Sequence, residues 1–408
     1  MSGPLSNLRV VDFSRVLAGP LCARTLLDLG AEVIKIEPPR PDVSRFAHPA
    51  RQGMSGYYAQ QNSGKRNISI DLNAPGGREI ALRLCDTADI IVENFRAGTL
   101  ASFGLDYETV ASRNPRVIYA SITGYGQGGP WRGRMAYAPT VQAESGFTTN
   151  SLRHYGDHLS AEQTDSLSHA DVYTGLQATV AILAALQSRE KTGQGQYIDV
   201  AMAATLMAVN ERAHVDLGDF ELGDEPPILG ATDCPFFTGP GGERFTVATS
   251  LVWSLTFPNY LRAMRRVDLA EDPRFATAAL RKQNLAALHE IVQTWMMTFA
   301  DMAALDAQFD EAKIAMGEIR SLGDLAATEW SSYWGAVQEV SDRNGSTYRL
   351  PGRPWRFSQD HLAPIGDPAL RGEHNRDVCA QLGFSDEEID KLFQAGALVA
   401  PSAATRWA

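Results

Sequence analysis

The chain has 408 residues, long enough for two domains or one large domain carrying an insertion. Its 44% apolar and 21% charged residues fit a globular protein with a substantial core. A formal charge of −11, from 37 Lys plus Arg against 48 Asp plus Glu and with no basic block, argues against nucleic-acid or anionic-membrane binding. Any anion would need a local site.

The first 125 residues alternate β-rich runs with helical patterns. LRVVDFS and AEVIKIE read as strands flanking the helix GPLCARTLLDLG, which closes at Gly30. RNISIDL is a third strand, PGGREIALRLCDTA a helix with Pro75 near its start, and DIIVENF and RVIYASITGYG two further strands. Such alternation implies right-handed crossovers and a mostly parallel sheet, hence an α/β fold. Ligands on such sheets bind beyond the carboxyl ends, where SRVLAGP, ENFRAG and TGYGQGGP form the turns. Residues 130 to 168 read as irregular loops over a site, 171 to 190 as a helix, GQYIDVAM as a strand, and 202 to 217 as helical. The stretch 218 to 235 reads as a linker. CPFFTGPGGERFTVAT is a hairpin opening a small α+β domain that continues in helices to about residue 327. A loop and two short helices close the chain, the last opened by the Ser385–Glu388 capping box.

Four cysteines, Cys22, Cys85, Cys234 and Cys379, show neither CxxC nor zinc spacing, and the opening MSGPLSNLRVVDF lacks a signal-peptide pattern. With no apolar run of roughly 18 residues, a cytoplasmic location is expected. His154, His158 and His169 fall in one region, but no HExxH or other ligand spacing occurs, so no metal is expected. GxGxxG, GxxxxGK[ST] and GxSxG are all absent. Lys65, Arg66 and Arg96 border the expected crevice and could take phosphates, or simply be solvated charge.

Asp171 stands alone at the mouth of its helix. One reading is a helix cap. The other is a nucleophile, kept ionised by the orphan amides of its own helix start and poorly solvated beside the apolar face Leu176, Val180, Leu183 and Ala184. Periodicity does not choose between them.

Taken in order, LRVVDFSRVLAGP…LLDLGAEVIKIE, NSGKRNISIDL, ADIIVENFRAG, NPRVIYASITGYGQ, DVYTGLQATVAILAALQSREKTGQGQYIDVAM and LRGEHNRDVCAQLGFSDEEI resemble the class III CoA-transferases of the CaiB–BaiF type, a family that includes the α-methylacyl-CoA racemases. The resemblance is dense over residues 5 to about 205, good over 364 to 397, and only general between. It implies a large Rossmann-like α/β domain containing both termini (1–217 and 331–408), a smaller α+β domain with its linker (218–330), and an interlocked homodimer. It implies coenzyme A as the carrier, entering as acyl-CoA, with Asp171 as the covalent nucleophile. Val16, Ala18, Ile70, Leu72, Asn94, Phe95, Arg96 and Met202 are implied as CoA contacts, and Tyr137 as lining the acyl site.

Some positions depart from the formyl-CoA branch: Leu17 and Ala138 replace its Gln and Glu, Ser102 replaces a basic residue often used on CoA phosphates, and no glycine lid is visible near 225–235. RGRMAYAP lacks the histidine that the racemases use, which favours transfer over racemisation. A binding protein that kept the fold and lost turnover is the non-catalytic alternative. Arg40, Arg45, Arg51, Arg132 and Arg134 could pair a second substrate carboxylate, or be surface charge.

Overall fold

The computed structural model describes residues 3–51, 54–155, 167–211, 213–218 and 235–401. The chain divides into two compact units. The first comprises Met1–Thr149, Glu162–Glu211 and Trp330–Ala408; the second comprises Asn150–Ala161 and Arg212–Glu329.

The first unit is built on six strands: β1 (Arg9–Asp12), β2 (Glu32–Glu37), β3 (Arg66–Ser69), β4 (Ile90–Glu93), β5 (Ile118–Thr123) and β6 (Gln196–Ala201). They pair in the order β3-β2-β1-β4-β5-β6, parallel throughout. All six were legible as strands. The Val/Ile runs of β1 to β5 bury both faces, as a sheet covered by helices on each side requires, while the edge strand β6 stays partly exposed. Chain order reverses between β1 and β4, so a crevice opens where the β1 and β4 loops diverge.

The helix His169–Thr192 packs on Ala18–Asp28, and its buried face is not the expected one. Ala170, Thr174, Gly175, Ala178, Thr179, Ile182 and Ala185 face the core, whereas Leu176, Val180, Leu183 and Ala184 are exposed. The cause is steric. A Cβ on Gly175 would stand 2.6 Å from the Ala18 carbonyl oxygen, so only a stripe of small residues lets the two helices approach this closely.

Other expectations are corrected. Within 130–168, helices Ala138–Glu144 and Phe147–Tyr155 replace the expected loops, and 156–166 lie outside the described residues. The expected helix 202–217 is split into Met202–Val209 and Ala213–Leu217. The linker and the lid region fall largely on 219–234, outside the described residues. The antiparallel pair Val337–Ser341 and Thr347–Pro351 was not foreseen. The Ser385–Glu388 capping box is formed as expected.

In the second unit the expected hairpin pairs Phe236–Thr238 with Arg244–Val247, and Met316–Glu318 adds a third antiparallel strand. Helices enclose a core around Phe237, Phe245, Tyr260, Leu288 and Phe309. Cys22, Cys85 and Cys379 are buried free thiols, and Cys234 lies outside the described residues. Among the described residues no helix is long and apolar enough to cross a membrane.

Candidate active site

The loop after β1 is the keystone of the crevice. Val16 adopts φ +67°, a left-handed conformation that a β-branched residue occupies only at a cost of about 1–3 kcal/mol. Its neighbours overdetermine it. Asn94, just past β4, accepts from the Arg15 amide and donates to the Arg15 carbonyl, both at 2.8 Å. The Val16 amide donates to both oxygens of Asp42 at 3.2 and 3.1 Å, and Lys35 Nζ donates to the Ser14 carbonyl at 2.7 Å. Gly19 is obligatory, since a Cβ there would meet the Ser14 Cβ at 2.2 Å.

Beneath the loop lies a buried charge network. Lys65 Nζ pairs with Asp12 at 2.9 Å, and Lys35 with Asp42 at 3.4 Å, all four side chains shut from solvent. Burial alone would raise the Asp12 carboxyl, but Lys65 and Lys35 beside it hold it below the usual carboxylate range.

Beyond the loop a cavity of about 420 Å³ opens within the first unit. Val16, Asn94, Phe95, Arg96, Tyr137, Asp171 and Met202, all named from sequence, line it together. Ala18 is buried and not among the lining residues, but its amide lies close enough to Asp171 to lower its carboxyl pKa. Ile70 and Leu72 are placed elsewhere: Ile70 is buried in the core and bridges to Leu398, and Leu72 packs on the same cluster.

Asp171 is not a helix cap. Ser168 holds that position and Asp171 sits in the first turn. The amide that acts on its carboxylate also differs from expectation, for it comes from the start of Ala18–Asp28. The N-cap of that helix, Leu17, offers no side-chain acceptor, so a donor at the positive helix end is left for Asp171. Burial raises the Asp171 carboxyl to about 6, and the Ala18 bond opposes that rise only in part. At pH 7 the group is therefore mostly ionised yet more basic than an ordinary carboxylate, which strengthens it as a nucleophile.

A pH dependence follows. If the ionised carboxylate reacts, the rate should fall about tenfold per pH unit below pH 6 and level off above it. A kcat/KM profile between pH 4.5 and 8 checks this. A limb centred near 4 would contradict the burial.

Tyr57 was missed by sequence reasoning. Burial, and then the charges of Asp171 and Asp42 close by, push its hydroxyl up to about 12. No motif marks it; proximity in the fold alone does.

The basic candidates separate clearly. Lys65 is a buried partner of Asp12, Asn62 and the Pro20 carbonyl, so it is no phosphate ligand. Arg66 pairs with Glu32 at 2.8 Å and Arg45 with Glu37 at 2.9 Å. Arg51 contacts Tyr348, and Arg40 does not line the cavity. Arg134 lines it but is held by Glu144, whereas Arg96 and Arg132 line it exposed. Arg15, not singled out from sequence, lines it too. Among the described residues no group of three His, Cys, Asp or Glu is arranged to hold a metal.

Comparison with known proteins decides the family. The model of CoA-transferase family III matches residues 5–375. The chain belongs to CoA-transferase family III. It is 32% identical to the succinate–glutarate CoA-transferase of Agrobacterium fabrum, over 93% of this chain and 96% of that protein. It is 30% identical to a formyl-CoA:oxalate CoA-transferase of Rhodopseudomonas palustris, over 98% and 99% respectively. The crystal structure of a CaiB/BaiF family protein from Brucella suis superposes with a TM-score of 0.77 at 30% identity, covering 94% of this chain and all of that one.

In this family III CoA-transferase, Ala138 lines the cavity, whereas Leu17 is buried and does not. Ser102 is exposed and donates to the Thr99 carbonyl at 2.7 Å. Among the described residues no histidine lines the cavity. A second carboxyl of near-neutral pKa, Glu93, is pushed by burial up to about 7, but it faces another cavity with Tyr119 and Asp199. It is not set opposite Asp171.

Proposed function

We propose that this enzyme moves CoA from an acyl-CoA thioester to a free carboxylic acid through covalent intermediates on Asp171. The observation that carries this reading is a half-buried carboxylate of raised basicity, the one acidic group among the described residues that line the cavity, near a helix-start amide. The Asp171 carboxylate attacks the thioester carbonyl, the C–S bond breaks, and CoA leaves as a thiolate, giving a mixed anhydride. The thiolate attacks the aspartyl carbonyl of that anhydride, releasing the donor acid and forming an aspartyl–CoA thioester. The acceptor carboxylate then displaces the thiolate to form a second anhydride. Attack of the thiolate on the acceptor's acyl carbon frees the new thioester and regenerates Asp171. No net water is consumed, so the cavity must keep water from either activated intermediate. The Ala18 amide is placed to stabilise negative charge on the aspartyl oxygen.

In this reading Val16, Ala18, Asn94, Phe95, Arg96 and Met202 surround the thioester arm, and Tyr137 borders the acyl group. Ile70 and Leu72 would meet CoA only beyond the cavity. The names of the relatives, with succinate, glutarate and oxalate among their acids, favour small acids as substrates. Exchange between a small acyl-CoA and labelled free acids tests the reading; thioester hydrolysis without exchange would overturn it. Racemisation is the lesser reading, since it needs a second acid–base group facing Asp171. Deuterium entering the α-carbon with no acceptor acid present would favour it. A cytoplasmic location accords with the three buried free thiols.

A homodimer belongs to the same proposal. Leu176, Val180 and Leu183 are 43%, 59% and 37% exposed and recur at helical spacing on the outer face of the Asp171 helix. A helix apolar on both faces calls for a partner on each. A second copy, interlocked with the first, is expected there, so light scattering should give the mass of two chains and Val180→Glu should lower the melting temperature of that dimer. A monomeric wild type at micromolar concentration would contradict the dimer.

A further inference from the structure

The transfer reaction uses one carboxylate of the acid at Asp171. A further cation in the same cavity must therefore act on a different anionic group. Arg15 is such a cation. Its backbone is clamped on both sides by Asn94, and its Nε is shut from solvent with no hydrogen-bond partner. Among the described residues its guanidinium pairs with no carboxylate. The buried arginines of the first unit are paired, Arg24 with Asp28 and Arg45 with Glu37, each at 2.9 Å, and Arg189 with Asp89 at 3.1 Å, whereas Arg15 is half-buried. A half-buried guanidinium with its Nε shut from solvent and unpaired keeps donors free, and an arriving oxyanion would satisfy them with two parallel hydrogen bonds.

The loop fixes where that oxyanion must be. Arg15 and Ala18, whose amide binds Asp171, are three residues apart, so their Cα atoms lie within about 11 Å. CoA phosphates are separated from the reacting sulfur by the whole pantetheine arm, whereas the far end of a short diacid is not. Arg132 is exposed and Arg134 is held by Glu144, so neither combines an unpaired guanidinium with an Nε shut from solvent.

Resting on the transfer reading above, we propose that Arg15 binds the second carboxylate of a dicarboxylic substrate. It thereby selects diacids over monoacids of equal chain length.

The test compares glutarate with pentanoate as acceptors for the full-length enzyme, with the better of succinyl-CoA and butyryl-CoA as donor. Any effect on the donor cancels in the ratio of the two kcat/KM values. Wild type should prefer glutarate, and Arg15→Gln should reduce that preference by roughly 100-fold, chiefly by slowing glutarate. Arg15→Lys, which keeps the charge without the fork, should recover part of it and supplies the readout if the Gln variant folds poorly. Free CoA should bind both variants as it binds wild type in calorimetry. An unchanged acid preference with weakened CoA binding would make Arg15 a phosphate ligand and overturn the proposal. Equal loss with both acids would make it merely structural, and overturn it too. A wild type that exchanges with both acids indifferently defeats the Arg15 assignment alone. A wild type that exchanges no acid with any donor defeats the transfer reading as well.

Discussion

Asp171→Asn should lower CoA exchange by at least about 10⁴-fold while leaving the fold as stable as wild type at pH 7, or more so. The rate loss follows because, among the described residues, Asp171 is the carboxylate that lines the cavity, so none of them can form the anhydride in its place. The stability gain follows from the sign of the pKa shift. Burial raises the Asp171 carboxyl to about 6, so the folded chain holds the proton more tightly than the unfolded one. Stability therefore rises as pH falls from about 6 toward the ordinary carboxylate range, and at pH 7 the ionised group costs the fold up to about 3 kcal/mol. Asn carries no charge to desolvate, and its side-chain oxygen still accepts from Ala18. Thermal melting at pH 7, run beside the exchange assay, checks both halves. A variant that melts well below wild type would show that Asp171 stabilises the fold.

Lys65→Met should have the largest effect on stability, a loss of about 3–5 kcal/mol at neutral pH. Asp12 is fully buried, and Lys65 supplies its 2.9 Å ion pair while also bonding the Pro20 carbonyl and Asn62 at 3.0 Å. Without Lys65, burial dominates at Asp12 and raises its pKa. In wild type that pKa lies below the unfolded value, so Asp12 stabilises the fold above the ordinary carboxylate pKa and loses this as pH falls through its depressed one. The variant should thus be most impaired at neutral pH and least impaired in acid. Urea unfolding at pH 7 and pH 5 would show this, and Asp12→Asn in the Lys65→Met background should restore part of the loss. Exchange should fall too, because the network carries the loop that presents Ala18. If Lys65→Met unfolded like wild type, the pair would not matter to the fold.

The six strands were readable because each is a Val/Ile-rich run bounded by turn residues, and a sheet covered on both faces demands such runs. Asp171 was readable as the one acidic residue at the mouth of an apolar helix. Which face of that helix packs inward was not readable, because both faces are apolar, and Gly175 turns the small-residue stripe inward through a contact with Ala18. Lys65 reads from sequence as a phosphate ligand or solvated charge because burying a lysine is costly without a carboxylate, and Asp12 is brought beside it only by tertiary structure. Arg15 and Tyr57 carry no local pattern at all. The strained Val16 and its tie to Asp42 join segments that sequence reading keeps apart.

Trapping offers the most direct test of covalent catalysis. The enzyme is incubated with small acyl-CoA donors, treated with hydroxylamine or borohydride, digested, and the peptide spanning Asp171 is weighed. Hydroxamate or homoserine should appear at Asp171 alone, require the thioester, and vanish in Asp171→Asn. Exchange that proceeds at full rate while Asp171 stays unmodified, or an adduct on a different carboxylate, would contradict the account.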